Sequence, residues 1–572
     1  MITFVYLPVS IKTIVRTIKK NGPLSVQAIA GTYVVLLGIN MEESVKEGVL
    51  GFGIQRRNID STDSTEEPVW LLGFKSFKEA AFPRGTLVPT NQYPIQAFLW
   101  GDYTARKDHQ YLYRVVAMRG QPGNLHESDE VSVSVQMEKE KKEGHQVYFN
   151  RGVAGSQAYV RKFGNKNPDM IGSKAFNWLS RGLVEALISF IREANGADWS
   201  IHAAVYEFQY APILREFKSA VDRGVDVKIV FDCKNENKFN KDGEPIGPWE
   251  GNLEALGDAQ IPDSCLKARK TNPTFIAHNK FIVLIQNGIP KYVWTGSTNI
   301  TRGGIFGHSN VGHIVRNESI ASAFEMYWTQ LNTDPKASNL RPWNNLNSPV
   351  PLGTPPPNSV QVIFSPRISL EALQWYVSRM DGANTASFLT AAFGVHDFFE
   401  NVFSTKKNNL RYLMLESEDE DMEKLRSWKF NRISIGNVLG ENKFEHWLTE
   451  RLTGFNKHVK YIHTKYMLID PLSDDPLVIT GSANFSEAST TENDENMLVI
   501  RGDTRVADIY LTEFMRLFMH FYFRTIVNGI GPAESNPAAG YLKDDDSWLL
   551  PYYEIDGPKC KERLYFAGEN PF

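Results

Sequence analysis

The chain has 572 residues, 42% of them apolar and 22% charged. At about 150 residues per domain this allows up to about four domains, and the composition excludes a mostly disordered polypeptide. The formal net charge of −4 excludes a chain that coats nucleic acid or anionic lipid through its overall field, so any polyanion has to be held by a local site.

The first residues, MITFVYLPVSIKTIVRTIKK, place an apolar run before the positive charges, the reverse of a secretory signal. No later stretch approaches the ~20 uninterrupted apolar residues of a membrane helix. Cys233, Cys265 and Cys560 are too few and too dispersed for a disulfide framework or a thiolate zinc site. These features predict a soluble, cytoplasmic protein.

Residues 1–143 read as a β-rich domain. VVLLGI (34–39), YPIQAFLW (93–100), QYLYRVVAM (110–118) and EVSVSVQME (130–138) are short β-branched and aromatic runs separated by polar, Gly and Pro segments, the pattern of a small sandwich. The stretch TNQYPIQAFLWGDYTARKDHQYLYRVVAMRG resembles the later strands of a fibronectin type III-like module, which implies a structural or substrate-presenting appendage. Residues 144–340 change to strand and helix in alternation. VYFNRG, the helical pattern 177–194, the strand 200–208, the helix 211–224 and the strand 225–232 follow in order. A Pro-rich segment over 341–361 reads as a stiff linker. Residues 362–535 then restart the order with a helix over 370–380 and strands over 385–395 and 409–417, and 536–572 form a C-terminal extension. The expected fold is α/β: two pseudo-twofold-related lobes of mixed sheets flanked by helices, preceded by an all-β sandwich.

The two lobes contain a repeat. His278–Val315 aligns with His463–Ile500 without a gap at a constant offset of 185 residues. The identical residues are His, Lys, Val, Thr, Gly, Ser and Asn. A purely structural duplication keeps apolar positions at least as faithfully; here polar chemistry matches best, which points to a site. Residues i and i+2 of a strand share a face, so His278 with Lys280, and His463 with Lys465, present an imidazole and an ammonium together. Each strand leads to a second that ends in Gly-Ser-x-Asn, with Ser297 and Asn299 in one half and Ser482 and Asn484 in the other.

Two facing sets of His, Lys and Asn suit a phosphodiester. Lysine and asparagine stabilise charge on the non-bridging oxygens, one neutral histidine attacks phosphorus, and the other protonates the leaving oxygen. Lysine takes the electrostatic role often filled by a cation, so the expected chemistry uses no metal and no cofactor. At these residues the chain resembles the phospholipase D superfamily, whose H-x-K-x4-D motif is followed by G-S-x-N. The second half matches fully, with Asp470; in the first half Ile285 stands where the Asp belongs. Glu495 in NDEN resembles the acidic follow-on of the superfamily's bacterial endonucleases, and its counterpart in the first half is Asn310. A carboxylate on His463, from Glu495 or Asp470, would make that residue the general acid and His278 the nucleophile; a carboxylate can also cross the pseudo-dyad. Resemblance to two-motif members also implies an N-terminal nucleophile.

The substrate reading favours a nuclease. Basic stretches at 266–270 and 457–465 run into the motifs, and Tyr206, Trp294 and Phe393 lie near them as aromatics that could stack on bases. A phospholipase D-type hydrolase or transphosphatidylase acting on phospholipid is the alternative, with IFG (305–307) and LLPYYEI (549–555) as candidate membrane-facing loops. A catalytically weak phosphodiester-binding module is the third reading. His308 and His313 lie near enough to the first motif to reach substrate, whereas His202, His396, His446 and His520 read as structural.

Overall fold

The buried β-branched runs of the two lobes assemble two sheets with one strand order. The computed structural model describes residues 5–6, 16–60, 67–80, 82–83, 85–140, 144–152, 156–271, 275–418, 420–437, 461–528 and 540–571. In the first lobe seven strands lie in the order His145–Phe149, Val311–Val315, Ile289–Gly296, Lys280–Gln286, Trp199–Val205, Asp226–Asp232 and Leu266–Arg269. In the second lobe Ser359–Ser365, Glu495–Arg501, Leu477–Gly481, Tyr466–Ile469, Ala386–Ala391, Leu410–Leu415 and Asn431–Ile435 repeat that order, and Val5–Tyr6 adds an eighth strand beside Ser359–Ser365. The last three strands of each series run parallel and the others antiparallel. Helices cover the faces, which is why these strands read as continuous apolar runs.

The N-terminal domain is a sandwich of two four-stranded antiparallel sheets. One holds Arg16–Asn21, Leu24–Ala30, Val35–Met41 and Leu99–Asp102; the other holds Asn124–Gln136, Gln110–Gln121, Val49–Asn58 and Val69–Trp70. Only the end of the 93–100 run is a strand, because Pro94 interrupts the backbone donors there and Ile95 makes a single bridge to Phe52. The helix expected over 177–194 is two helices, Ser173–Ser180 and Leu183–Glu193, split where Arg181 and Gly182 take left-handed conformations. That break turns the Arg181 guanidinium inward to a buried ion pair with Glu513 at 2.7 Å.

The segment read as a linker is docked rather than free. Its first residues close the helix Ala337–Asn347, and Asn344 donates to the Pro366 carbonyl at 2.9 Å. The C-terminal extension clasps two units. Trp548, Leu549 and Tyr552 lie in the sandwich core, while Tyr412 of the second lobe donates to Glu562 at 2.6 Å. Gly38 lets this clasp close, since a Cβ there would overlap the Phe566 carbonyl. The 25-residue helix Thr504–Asn528 of the second lobe reaches the other two units: Arg505 pairs with Glu138 and Asp508 with Arg16 of the N-terminal domain, and Glu513 with Arg181 of the first lobe. Among the described residues no helix is long and apolar enough to cross a membrane.

Candidate active site

The repeated motifs meet where the two sheets face each other. The pseudo-twofold axis is written in paired backbone bonds: Ser309 N donates to the Tyr461 carbonyl at 2.7 Å, and Asp494 N, 185 residues on, donates to the Ile276 carbonyl at 3.1 Å. Each bond delivers the following strand to the start of the opposite motif. Acidic residues at the ends of neighbouring strands hold those starts in place. Asp232 accepts from Ala277 N at 2.8 Å, and Glu416 accepts from the equivalent Ile462 N at 2.7 Å. Sequence reading missed both, because each lies more than 40 residues from its motif and carries no motif signature.

His278, Lys280, Asn299, His463 and Lys465 are all buried, and Asn484 is half-buried. Each lysine ammonium donates to the carbonyl of its own histidine, at 2.6 Å for Lys280 and 2.7 Å for Lys465. Asn299 donates to Glu207, and the side-chain oxygens of Asn299 and Asn484 have no hydrogen-bond partner among the described residues. The glycines of Gly-Ser-x-Asn serve close approach across the sheet: a Cβ on Gly296 would overlap the Val311 carbonyl, and one on Gly481 the Asn496 carbonyl. Ser297 donates to Asn310 Oδ1 at 2.8 Å, and Ser482 accepts from Asn496 N at 3.0 Å.

The carboxylate crosses the axis. His278 Nδ1 lies 2.8 Å from Glu495 Oε1, and His463 Nδ1 lies 3.0 Å from Asn310 Oδ1. Glu495 therefore does not support His463; the residue eleven positions beyond each Gly-Ser-x-Asn asparagine reaches the histidine of the other lobe. Asp470 does not support it either. Its carboxylate accepts from Asn384 N at 2.9 Å, Thr385 N at 2.7 Å and Ala386 N at 3.0 Å, tying down the start of a neighbouring strand. Ile285 occupies the equivalent place as a buried core residue paired with Ser200. Its presence removes a strand anchor and no group near the histidines. Asp470→Ala should therefore lower stability by about 2–4 kcal/mol, from lost charge-assisted bonds to backbone. Turnover per folded molecule should stay within about threefold, as read from urea unfolding alongside initial rates.

Burial pushes the His278 imidazole down to about 4, although Glu495 works against it. His463 is held well below the usual histidine range by burial and by Lys465, His308, Lys280 and His278, with no carboxylate to offset them. Burial brings Lys280 down to about 8 against the pull of Glu495, Glu207 and Asp232. Lys465 falls well below its ordinary value through burial and the facing Lys280. Burial alone would raise Glu495, but His278 and Lys280 outweigh it and hold the carboxylate ionised. Burial thus works against every charge in the site, and the carboxylate beside it makes His278 the more basic histidine.

Of the aromatics, Tyr206 lies 5.0 Å from the His278 ring and Phe393, 60% exposed, lies 6.5 Å from His463, whereas Trp294 is core. His308 stands in the site, 4.4 Å from the His463 ring. His313 does not; it bonds to His145 at 2.8 Å and Tyr510 at 3.0 Å in the interior. In the stretch 266–270, Arg269 is bound to Asp494 and Asp334 and Lys270 to Glu236. Residues 457–460 of the second basic stretch, and His446, lie outside the described residues.

The family described as cardiolipin synthase, PLD-like domain, matches residues 187–331 and 383–518. Among solved structures, the polyphosphate kinase of Porphyromonas gingivalis is 10% identical with a TM-score of 0.38; the match covers 60% of this chain and 48% of that one. Nuc of Salmonella typhimurium, a phospholipase D family member, is 22% identical over 33% of this chain and 94% of that chain, with a TM-score of 0.22. The phosphatidylserine synthase of Haemophilus influenzae Rd KW20 is 11% identical over 68% and 94%, with a TM-score of 0.41. This chain therefore spans about half the length of the first of these structures and nearly all of the other two. No curated protein sequence matches the chain.

Proposed function

The chain belongs to the phospholipase D superfamily, and on that premise we propose that it is a phosphodiesterase that works without a metal ion, through a phosphohistidine, on nucleic acid. The observation that carries the chemistry is the pairing of two His-Lys-Asn sets across one axis with unequal partners, Glu495 on His278 and Asn310 on His463.

The unequal partners support the order of events. Attack by the His278 Nε2 lone pair forms a P–N bond and leaves that ring positively charged, with its Nδ1–H directed at Glu495, so the carboxylate stabilises the charge as it develops. The negative charge of the bound phosphodiester favours the protonated form of His463; with only a neutral amide behind it that imidazolium is the stronger acid, and it gives its Nε2 proton to the leaving oxygen as the P–O bond breaks. Neutral His463 then takes a proton from water, the hydroxide attacks phosphorus, and the P–N bond breaks to restore His278. Lys280, Lys465, Asn299 and Asn484 hold the non-bridging oxygens. The carboxylate expected on His463 stands on His278 instead, where the pKa criterion applied to the sequence would make His278 the acid; the assignment of His278 as nucleophile rests here on the positive charge its ring develops on attack, which Glu495 stabilises.

Phe393 supports the nucleic-acid reading, since an exposed ring beside the acid can stack on a base. Of the two segments that a lipid enzyme would turn to a membrane, Ile305 and Phe306 are buried; in the other, Leu549 and Tyr552 belong to the sandwich core while Leu550 and Ile555 are exposed, so the phospholipid alternative is decided by direct assay. The test is a panel of labelled single- and double-stranded DNA, RNA and phosphatidylcholine vesicles in excess EDTA. Cleavage of a nucleic acid that survives EDTA supports the proposal. Choline release without nucleic-acid cleavage transfers the function to phospholipid, and loss of all activity on chelation rejects the mechanism.

A further inference from the structure

We propose that His308 is a third histidine of the site and donates a neutral hydrogen bond from its Nε2 to a non-bridging phosphoryl oxygen on the His463 side. The inference rests on the phosphodiesterase reading above and goes beyond the His-Lys-Asn sets.

The argument starts from the Asn310 amide, whose orientation is determined by its neighbours. Its Nδ2 donates to the Gly304 carbonyl at 2.7 Å, an oxygen that can only accept. The same nitrogen lies 2.9 Å from His308 Nδ1, so its second hydrogen meets that ring nitrogen. Nδ1 of His308 therefore carries a lone pair, and in the neutral ring the proton sits on Nε2. The other end of the amide, Oδ1, takes the Ser297 hydroxyl at 2.8 Å and faces His463 Nδ1 at 3.0 Å. One asparagine thus sets two tautomers: Nε2 as a lone pair on neutral His463, and Nε2 as a donor on His308.

The ring is held where such a donor is useful. His308 packs 4.4 Å from His463, and the Lys465 ammonium is close enough to act on it. Its backbone carbonyl accepts from Asn150 Nδ2 at 2.8 Å, and the Asn150 side-chain oxygen accepts from Asn310 N at 2.9 Å. The preceding turn, Gly303–Gly307, is a single π turn, a wide element that recurs at functional sites. Gly304 is required in it, because a Cβ would overlap the Asn299 backbone. Nε2 makes no hydrogen bond to any described residue. Burial drives the imidazole down to about 3, so the ring stays neutral and a donor throughout the neutral range.

The symmetry of the lobes breaks here. The counterpart of His308 is Asn493, whose side-chain oxygen accepts from Ile276 N at 3.2 Å. An imidazole on one side thus corresponds to an amide anchored to the backbone on the other, and on this proposal the two non-bridging oxygens cease to be equivalent.

The experiment uses full-length protein and oligonucleotides with one phosphorothioate of defined configuration. His308→Phe should lower kcat by about 10–100-fold on the phosphodiester with KM nearly unchanged. It should lower kcat to the same extent on one diastereomer and by less than about threefold on the other, where sulfur has already weakened the bond. His308→Gln, which keeps a donor, should recover part of the loss. Equal losses on both diastereomers with no recovery overturn the proposal. Selective 15N-histidine labelling, assigned with His308→Gln, reads the ring independently of turnover. A protonated Nε2 that shifts on adding tungstate supports the proposal, and a protonated Nδ1 or a ring indifferent to tungstate overturns it. Absence of any turnover in wild type, with the tungstate shift present, rejects the substrate reading alone.

Discussion

His278→Ala should lower kcat on a phosphodiester by about 10,000-fold or more, because it removes the atom that bonds to phosphorus. His463→Ala should cost about 100–10,000-fold on the same substrate, the range for loss of a general acid. The two losses differ in kind. A leaving group such as p-nitrophenolate departs without a proton, so His463→Ala should still form the intermediate on that substrate. Its hydrolysis then stalls, since the same imidazole activates water. Mass spectrometry after an alkaline quench should find the phosphoryl group, still carrying the substrate's remaining ester, on His278 in His463→Ala and none in His278→Ala. The same group on His463 in the His278 variant would reverse the assigned roles.

The second large effect belongs to the partners behind the histidines. Glu495→Gln should lower kcat by about 100–1,000-fold, because an amide cannot stabilise the charged ring that attack creates. Glu495 raises the His278 pKa, so its loss should also move the acid limb of kcat/KM to lower pH. Asn310→Asp tests the other side. A carboxylate beside His463 raises the pKa of that imidazole, and His463 has to be protonated to act, so the alkaline limb should move to higher pH. The direction in which each limb moves is the readout. An unmoved alkaline limb in Asn310→Asp would separate Asn310 from the acid.

Asp470 and Ile285 show how a motif can mislead about roles. Both lie at the fifth position after the motif lysine, where the strand has turned its side chains away from the cleft. The aspartate is occupied by three backbone amides of the adjacent strand. Its loss from the first half therefore leaves the paired site intact. Glu207, Asp232 and Glu416 mark the opposite failure: they shape the charge and the strand starts of the site, yet each reaches it from a different strand end, and no local pattern connects them to the histidines.

The modular reading of the N-terminus requires a larger revision. The strands of the sandwich were readable from alternation and turn residues, but an appendage was expected. Arg16, Glu138 and Gly31 contact the helix Thr504–Asn528, and Trp548 completes the sandwich core. Such contacts join residues hundreds of positions apart, and each is a single charged, small or aromatic residue with no periodicity of its own.

Length, a near-neutral charge, the alternation of strands and helices and a gapless repeat were enough to derive two α/β lobes and to single out six His, Lys and Asn residues, because side chains on one strand face keep a fixed local spacing. Which carboxylate stands behind which histidine, the incorporation of His308, and the fusion of the sandwich with the lobes were not legible there. They depend on where one lobe places its strand ends against the other, and that distance is set by packing across the axis rather than by separation along the chain.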